Sequence, residues 1–402
     1  MPAEFNLPLS ARLSGRSLPL WAAWCLLAIL LLWGLALRLG RLDEAHFGDM
    51  NVLLSAVYSA LSWPPFGYYE AYRPQPWVYN HLPAFPFMVA PLYWVFENLL
   101  HLPTSWAVKL LTAAADLAIA IMLFRTAGQR FGRILSVLLP AAWLFAPWVV
   151  AGNDHPISPA VAFALAALTQ LRRPVLCAVL LALGMGTRNE VAFLVLPVLI
   201  HFALRRPRSE FVSFLLGFSV PLALLVLPFA LHDLEALDYA LRRQLQRDVG
   251  SQLSILASAL LPLMPQRVSI LIRENPSILA VAGNLVVGAY CLRDRSVLRG
   301  AVVASLMYLV TLPLLHERYT LFAYGLALLY TARYGNLLVL AGALLMELPF
   351  PGAVRSAATV SLLGGMGGSG LWAPGPKSGD EAREADAKGL DDPALDRTAA
   401  RP

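Results

Sequence analysis

The sequence predicts an all-α protein, a polytopic bundle of roughly 9–12 transmembrane helices of the length that crosses a bilayer. Hydrophobic residues make up 58% of the chain and charged residues only 14%, whereas a soluble domain carries about 25% charged residues. Apolar runs of nearly membrane-crossing length recur along most of the 402 residues. The formal charge of +6 comes largely from arginine. The preference of cytoplasmic loops for positive charge explains it without a nucleic acid partner.

The first apolar run covers residues 20–37 and is closed by Arg38 and Arg41. No small-residue cleavage site follows it, so we interpret this run as a retained span rather than a signal peptide. The end of the chain is rich in Gly, Ala, Asp and Pro and is expected to be largely disordered. The predicted organisation is a cytoplasmic N-terminus over 1–19, a transmembrane domain over 20–350 and a tail over 351–402.

Clusters of arginine separate the later apolar runs. If all of these clusters are cytoplasmic, the runs between them must cross the membrane in pairs. The predicted pairs are 133–150 with 156–171, 174–186 with 189–204, 211–231 with 276–292, and 297–315 with 319–333, followed by a last span over 335–350.

The segment 82–98 decides the orientation of everything that follows it. Only one crossing fits between the first span and the arginines that begin at Arg125, and the run 106–124 is the better candidate. The segment 82–98 contains three prolines, which break helices. We therefore interpret it as a juxtamembrane or re-entrant element on the outer side. A full crossing is the alternative and would reverse the topology of the rest.

This topology gathers polar residues from several parts of the chain on one outer face. The groups are His46 with Asp49, Tyr79-Asn80-His81, Gly152-Asn153-Asp154-His155, Arg188-Asn189-Glu190 and His316-Glu317-Arg318. Ionisable residues at membrane depth are costly and are functional by default. Several groups on one face therefore predict an active site there.

Asp49 is the candidate general base. It follows the first span and precedes an apolar helical stretch over 51–61 that can lie along the membrane surface. In glycosyl transfer with inversion, a carboxylate removes the proton from the acceptor hydroxyl as that hydroxyl attacks. The alternative role is a helix N-cap, where aspartate is favoured, and the two roles are compatible.

Two arginines are candidates for binding a phosphate. Arg188 lies between two short apolar runs, and a guanidinium can hold a phosphate through two parallel hydrogen bonds. Its alternative is a salt bridge to Glu190. Arg318 can bind a second phosphate oxygen or stabilise a departing lipid phosphate, with His316 and Glu317 beside it. The alternative is an interfacial pair between Glu317 and Arg318.

Five further residues complete the predicted site. Asp154 is expected to orient a sugar hydroxyl or to assist the base. Its alternative role is to stabilise the turn before Pro156. Tyr79 and His81 are expected to shape the acceptor cleft. Lys109 and Asp116 are seven residues apart and lie on nearly one helix face. They are assigned to the same cleft, and Asp116 is expected either to pair with a neighbour or to reach a water-filled cavity.

Several common catalytic motifs are missing from the sequence. There is no glycine-rich phosphate loop followed by Lys-Ser/Thr, so ATP hydrolysis is not expected. There is no His-Glu-x-x-His, and the Cys/His spacing does not indicate zinc. No cofactor is certain, and a divalent cation is possible.

The residues from about 20 to 335 resemble the GT-C superfamily of integral-membrane glycosyltransferases that use polyprenyl-phosphate sugars. Asp49 matches the base in the first outer loop of that superfamily. The stretch Trp77-Val78-Tyr79-Asn80-His81-Leu82-Pro83 resembles the Tyr-x-Tyr-x-Pro-Leu stretch of glycosyltransferase family 87 and of the catalytic subunit of GPI mannosyltransferase I. Lys109 followed by Ala115-Asp116-Leu117 resembles the next span. His316-Glu317-Arg318-Tyr319 resembles the His-Glu-Arg/Lys-Tyr signature of bacterial and archaeal members.

The sequence also departs from this family. The first loop reads Gly-Asp-Met rather than a double-acid form, and the second proline of the Tyr-Pro-Pro form is lacking. In the family hairpin a lysine lies near a proline, and Arg188 would stand in for that lysine here. The resemblance implies an inverting transferase of the plasma membrane. Its donor would be a hexose, with mannose foremost, on a polyprenyl phosphate, and its acceptor would be lipid-linked or membrane-proximal. Metal dependence differs within the superfamily.

Two other classes of membrane protein compete with this reading. A transporter or lipid-carrier flippase of envelope glycan assembly would place ionisable residues along a path through mid-membrane, often with inverted repeats. Most charges here are predicted at one face and no repeat is visible, which disfavours that class. A non-enzymatic membrane subunit of an envelope assembly complex is the second competitor.

Overall fold

The computed structural model describes residues 18–44, 49–63, 65–66, 69, 81–128, 132–151, 155–245, 265–267, 269–270, 277–311 and 320–347. Within these residues every regular element is a helix. Three of the described helices are long and apolar enough to cross a membrane, judged by length and composition. The all-α prediction is confirmed for this part of the chain, and the number of spans stays a prediction. The predicted tail over 351–402 lies outside the described residues.

We number the described helices in chain order. They are α1 (Leu20–Leu39), α2 (Asp49–Leu61), α3 (Ala84–Val95, continued by a π-helical turn over Phe96–Leu100), α4 (Ser105–Gly128), α5 (Gly132–Leu144), α6 (Pro147–Ala151), α7 (Ile157–Thr169), α8 (Pro174–Thr187), α9 (Ala192–Arg205), α10 (Arg208–Leu245), α11 (Ser277–Arg293), α12 (Val297–Thr311), α13 (Thr320–Tyr334) and α14 (Leu337–Glu347). The three of membrane length are α1, α4 and the Arg208–Ala240 part of α10.

Prolines divide and shape these helices. The 20 residues of α1 begin directly after Pro19 and span about 30 Å, the thickness of a bilayer core. The predicted span 133–150 is instead two helices, because Pro147 starts a new helix at a position where its missing N–H costs nothing. The expectation that prolines break the 82–98 segment is wrong, since α3 runs through Pro91. The buried neighbours Val89 and Tyr93 hold that helix in place.

Polar side chains join the ends of several helices at one end of the bundle, which we call the Lys109 end. Arg38, in the last turn of α1, donates a hydrogen bond to the Leu144 carbonyl at the end of α5 (3.2 Å). Lys109, near the start of α4, donates to three backbone carbonyls just after α1. Ser158, in the first turn of α7, is hydrogen-bonded to Asp116 of α4. The ends of α1 and α5 therefore meet the starts of α4 and α7.

Two more helices reach the Lys109 end. Gly184, in the last turn of α8, lies so close to the first half of α7 that a Cβ atom on it would be 3.2 Å from Phe163 Cβ and 3.5 Å from the Ala160 carbonyl oxygen. Tyr324, one turn into α13, donates to the Ala142 carbonyl at 2.7 Å. Its ring also stacks on Trp143, with centroids 5.9 Å apart. The end of α8 and the start of α13 therefore lie beside the end of α5 and the start of α7.

The long helix α10 changes direction at Asp233. The backbone angles of this residue (φ −153°, ψ 95°) are not helical. Its carboxylate accepts a hydrogen bond from the Ala236 N–H at 2.9 Å, as an N-cap of the helical stretch that follows. On both sides of the kink, α10 packs with α2, α3 and the start of α4 in one apolar cluster, through Phe229 before Asp233 and Leu237 after it. We call α2, α3 and the part of α10 after Asp233 the end layer.

Helix α3 has both of its ends at the Lys109 end. The Leu82 N–H, just before α3, donates to Asn189 Oδ1 just after α8, at 3.3 Å. Phe96, just after α3, packs in one apolar cluster with Ala107 and Val108 at the start of α4. This helix therefore lies across the end of the bundle, which favours the juxtamembrane interpretation of 82–98 over a full crossing.

The sides of the bundle are apolar and the opposite end is basic. Trp21, Leu224 and Leu231 are 71%, 72% and 78% exposed, and exposed apolar faces of this extent suit the hydrocarbon of a bilayer. At the opposite end, Arg133 donates to the Leu18 carbonyl before α1 at 2.6 Å. The arginines in the last turns of helices ending there are Arg125, Arg205, Arg293 and Arg333.

Candidate functional site

The predicted site residues divide into described and undescribed positions. Tyr79, Asp154, His316, Glu317 and Arg318 lie outside the described residues. Asp49 is the first residue of α2. His81, Lys109, Asp116 and Arg188 are described, and all four belong to elements that meet at the Lys109 end.

Arg188 lies in the turn that connects α8 to α9. Its Nε donates to Glu190 Oε2 at 3.1 Å and its Nη2 to Glu190 Oε1 at 2.5 Å. Both side chains are almost fully buried. The geometry is bidentate, the arrangement that fits a guanidinium to a carboxylate best. The ion pair that the sequence offers as the alternative to phosphate binding is thus present, and it occupies two N–H groups of the guanidinium.

The surroundings of the Glu190 carboxyl in this turn favour its charged form. Burial alone would raise the pKa of Glu190, but the adjacent Arg188 guanidinium and, more weakly, His81 hold that pKa below its usual value. Arg188 and Glu190 therefore form a charge-compensated unit rather than an isolated cation.

Replacing Glu190 with glutamine is expected to lower the free energy of unfolding by about 3–5 kcal/mol, because it removes one charge of a buried, bidentate ion pair. Unfolding of the purified protein in detergent measures this. The matched control is Glu210→Gln, since Glu210 pairs with Arg206 across 3.8 Å with both side chains about a third exposed. Such exposed pairs contribute less than about 1 kcal/mol. Equal losses in the two variants would contradict a special role for the buried pair.

The entry to α3 docks on this turn. Tyr69 donates its hydroxyl to the His81 carbonyl at 2.6 Å, and the next residue hydrogen-bonds to Asn189. Gly186 allows the approach, because a Cβ atom on it would lie 2.9 Å from Ala84 Cβ. His81, predicted for the acceptor cleft, is thereby held beside Arg188 and Glu190.

Lys109 is held by main-chain oxygens. Its ammonium donates to the carbonyls of Arg41 at 2.9 Å, Leu42 at 2.7 Å and Glu44 at 2.7 Å. The side chain is buried to 2% exposure. An ammonium has three N–H groups, so these three carbonyls satisfy it. The contacts favour a supporting role for Lys109 over direct contact with an acceptor.

Asp116 is at the centre of a second buried ion pair. Its Oδ2 accepts from Arg38 Nε at 2.7 Å and its Oδ1 from Trp143 Nε1 at 3.1 Å. Ser158 also hydrogen-bonds to it. The Arg38 and Asp116 side chains are 1% and 0% exposed. Asp116 thus pairs with a neighbour and joins α1, α4, α5 and α7.

Arg41 links the end of α1 to α6. Its Nη1 donates to the Val150 carbonyl at 3.0 Å, and its Nε and Nη2 lie 2.7 Å from Glu44 Oε2. The turn after α1 leads to Asp49, and α6 leads to Asp154. The described residues that flank two predicted catalytic aspartates are therefore tied together by one side chain.

Sequence reasoning missed the roles of Arg38 and Arg41. Both were interpreted as residues that close a membrane span. A signal for the first was present, since Arg38 and Asp116 are opposite charges in two apolar runs, and such charges inside a membrane protein usually pair. No sequence signal indicates that Arg41 binds a carbonyl of α6.

The arrangement as a whole is a set of fixed charges at one end of apolar helices. Among the residues that the structure describes, no three His, Cys, Asp or Glu side chains gather where they could hold a metal ion. The possible divalent cation stays a prediction. Fixed charges of this kind can orient an ionic headgroup and stabilise charge that develops on it.

Comparison of the chain with protein-family models, with curated proteins and with solved structures finds no match.

Proposed function

We propose that the chain is an inverting glycosyltransferase of the plasma membrane. It moves a hexose, with mannose as the first candidate, from a polyprenyl-phosphate carrier to a lipid-linked or membrane-proximal acceptor on the extracytoplasmic side. The donor carrier and the surrounding membrane lipids are its hydrophobic partners.

One observation carries this proposal: buried ionic groups collect at the Lys109 end of an otherwise apolar helical bundle. The ion pairs Arg38–Asp116 and Arg188–Glu190 and the ammonium of Lys109 all belong to elements that meet there. A donor whose sugar phosphate lies at the membrane surface and whose chain lies in hydrocarbon fits an apolar bundle with ionic groups at one end.

The arginines at the opposite end support an extracytoplasmic location of the Lys109 end, where Arg38 and Arg188 are instead paired with buried carboxylates. Arginines such as Arg133, Arg205 and Arg333 lie at the opposite ends of their helices. Positive residues next to spans favour the cytoplasm, so the Lys109 end faces outward. The end layer then lies along the outer surface of the membrane and covers the headgroup region.

The proposed reaction needs a base for the acceptor hydroxyl and a cation for the leaving phosphate. Asp49 removes the proton of the acceptor hydroxyl while the hydroxyl oxygen forms a bond to the anomeric carbon of the donor sugar. The bond from that carbon to the phosphate oxygen breaks, and polyprenyl phosphate leaves. Arg318 supplies most of the positive charge to the leaving phosphate, because Glu190 already takes two N–H groups of Arg188.

Other residues support these steps. Asp154, His316 and Glu317 orient the sugar or hold the arginines. Tyr79 and His81 shape the acceptor cleft. Lys109 and Asp116 hold the walls of that cleft through the contacts described above, and do not touch the substrate.

The decisive experiment is transfer of radiolabel from polyprenyl-phosphate-mannose to extracted membrane lipids by the purified wild-type protein. We expect a labelled lipid product whose glycosidic linkage is inverted relative to the donor. A panel of other lipid-linked sugars tests the donor class if mannose is not the sugar.

The competing functions give different results. Movement of the labelled carrier across proteoliposome membranes without product, for every donor in the panel, would reject the transferase and favour a flippase. Transfer that appears only when a partner protein is added would favour a subunit of an envelope assembly complex.

A further inference from the structure

We infer that Lys109 and Arg41 form a clasp of cations on backbone carbonyls that positions the start of α2, and with it Asp49, for proton abstraction. The inference rests on the proposed function. The clasp comprises the two side chains and their acceptors, the carbonyls of residues 41, 42, 44 and 150. Both cations are positioning residues, since they act through the backbone that leads to Asp49.

The contacts of Lys109 indicate that it holds the backbone after α1 and does not bind a substrate. A buried ammonium is costly unless it is hydrogen-bonded. All three carbonyls come from one short segment after α1, at 2.7–2.9 Å from Nζ. A lysine that only filled space between helices would not need to gather three carbonyl oxygens of one turn. The last of these carbonyls, that of Glu44, is five residues before Asp49.

Arg41 extends the same turn toward a second element. Its Nη1 bonds to Val150 in α6, and its other nitrogens bond to Glu44 within the turn. The turn is therefore fixed to α4 by Lys109 and to α6 by Arg41. Two attachments to different helices define its position, whereas one would leave it free to rotate.

The function of such a clasp is to keep Asp49, the proposed base, in a fixed position relative to the acceptor. A displacement of about 1 Å at a reacting group can lower a rate by about 100-fold. Loss of the ammonium is therefore expected to slow chemistry while the donor, which is bound by other residues, still binds.

The test separates positioning from folding by measuring the rate per bound donor. Wild type, Lys109→Met, Lys109→Arg and the control Thr112→Val are loaded with radiolabelled polyprenyl-phosphate-mannose. The bound fraction and the single-turnover rate per bound donor are measured. Thr112 lies less than one turn along α4, is fully buried and bonds only within its own helix, to the Val108 carbonyl at 3.0 Å.

We expect Lys109→Met to bind donor in full stoichiometry and to transfer it about 10- to 100-fold more slowly per bound donor. Lys109→Arg keeps the charge and is expected to recover most of that rate, and Thr112→Val is expected to match wild type. A rate per bound donor in Lys109→Met equal to wild type, with any loss confined to the bound fraction, would overturn the inference.

A second variant and a second readout cover the case in which Lys109→Met does not fold. Arg41 is half-buried, at 31% exposure, so Arg41→Met is expected to fold and to show a smaller fall in the same rate. Amide hydrogen exchange should be faster in peptides spanning residues 40–51 of the clasp variants than in Thr112→Val. Unchanged exchange there would reject the clasp even if wild type transferred no sugar, an outcome that would reject the proposed function separately.

Discussion

Asp49→Asn is expected to lower the rate of sugar transfer by about 100- to 10,000-fold, the range that loss of a general base produces. Asparagine has nearly the same size as aspartate, and residue 49 is the first helical residue of α2 rather than the N-cap that precedes it. The start of α2 at residue 49 should therefore be kept. What the variant loses is the ability to accept the proton of the acceptor hydroxyl.

The control for this prediction is Asp43→Asn. Asp43 is exposed in the turn after α1, six residues earlier in the same loop, so the chemical change and the change in net charge are identical. We expect wild-type transfer from it and wild-type donor binding from both variants. Near-normal transfer by Asp49→Asn would leave Asp49 only a structural role at the start of α2 and move the base to Asp154 or Glu317.

Most of the helices could be predicted from the sequence, because a long apolar run prefers lipid and polar residues mark where it ends. The predicted run 106–124 lies within α4, and the predicted run 174–186 is α8 without its last residue. The division of 133–150 was not predicted, because the run is apolar throughout and only Pro147 marks the new helix. Composition shows that a segment prefers lipid, but the position of a turn depends on what its neighbours can pack against.

The orientation of α3 shows what packing adds to sequence. Its composition is that of a short span, and its prolines indicated an irregular segment. Instead it is a regular helix whose ends are held by Asn189 on one side and by the start of α4 on the other. The contact with Asn189 joins residues 107 positions apart in the chain, so no local pattern could predict it.

For the described members of the candidate site, the sequence indicated which residues share one end of the bundle but not which groups they contact. Arg188 and Glu190 are two residues apart, so their ion pair could be offered as an alternative from sequence alone. Lys109 and Arg38 find their partners 65 and 78 residues away. Which charge meets which carbonyl or carboxylate depends on the rotation of each helix about its axis, and apolar helices such as these carry little periodic signal to fix it.

Breaking the Arg38–Asp116 pair is expected to have the largest effect on stability. Asp116→Asn should lower the free energy of unfolding by about 3–5 kcal/mol, because it leaves a guanidinium buried without its counter-ion. Arg38 has no exposed route to another partner, since its side chain is 1% exposed. Its remaining acceptors, the carbonyls of Gly34 and Leu144, are neutral. Reversible unfolding in mixed detergent micelles measures the loss, and Asp43→Asn serves as the exposed control within about 0.5 kcal/mol of wild type.

The double variant Arg38→Met/Asp116→Leu separates the cost of a broken pair from the value of the pair. Apolar replacement of both partners of a buried ion pair often leaves stability unchanged. Because no uncompensated ion remains, the double variant should be more stable than Asp116→Asn. The effects of Arg38→Met alone and of Asp116→Leu alone should therefore be strongly non-additive, as expected for groups in direct contact. Additive losses would mean that the two side chains act independently, in conflict with the 2.7 Å contact between them.

The same double variant also decides what the pair does for transfer. Both residues lie within reach of the clasp, because Arg38 precedes Arg41 by three residues and Asp116 follows Lys109 by seven. If the pair only fixes α1 against α4 and α5, a stable double variant should transfer sugar at close to the wild-type rate. A stable double variant that binds donor but transfers slowly would instead assign the pair to the acceptor cleft, where the sequence first placed Asp116.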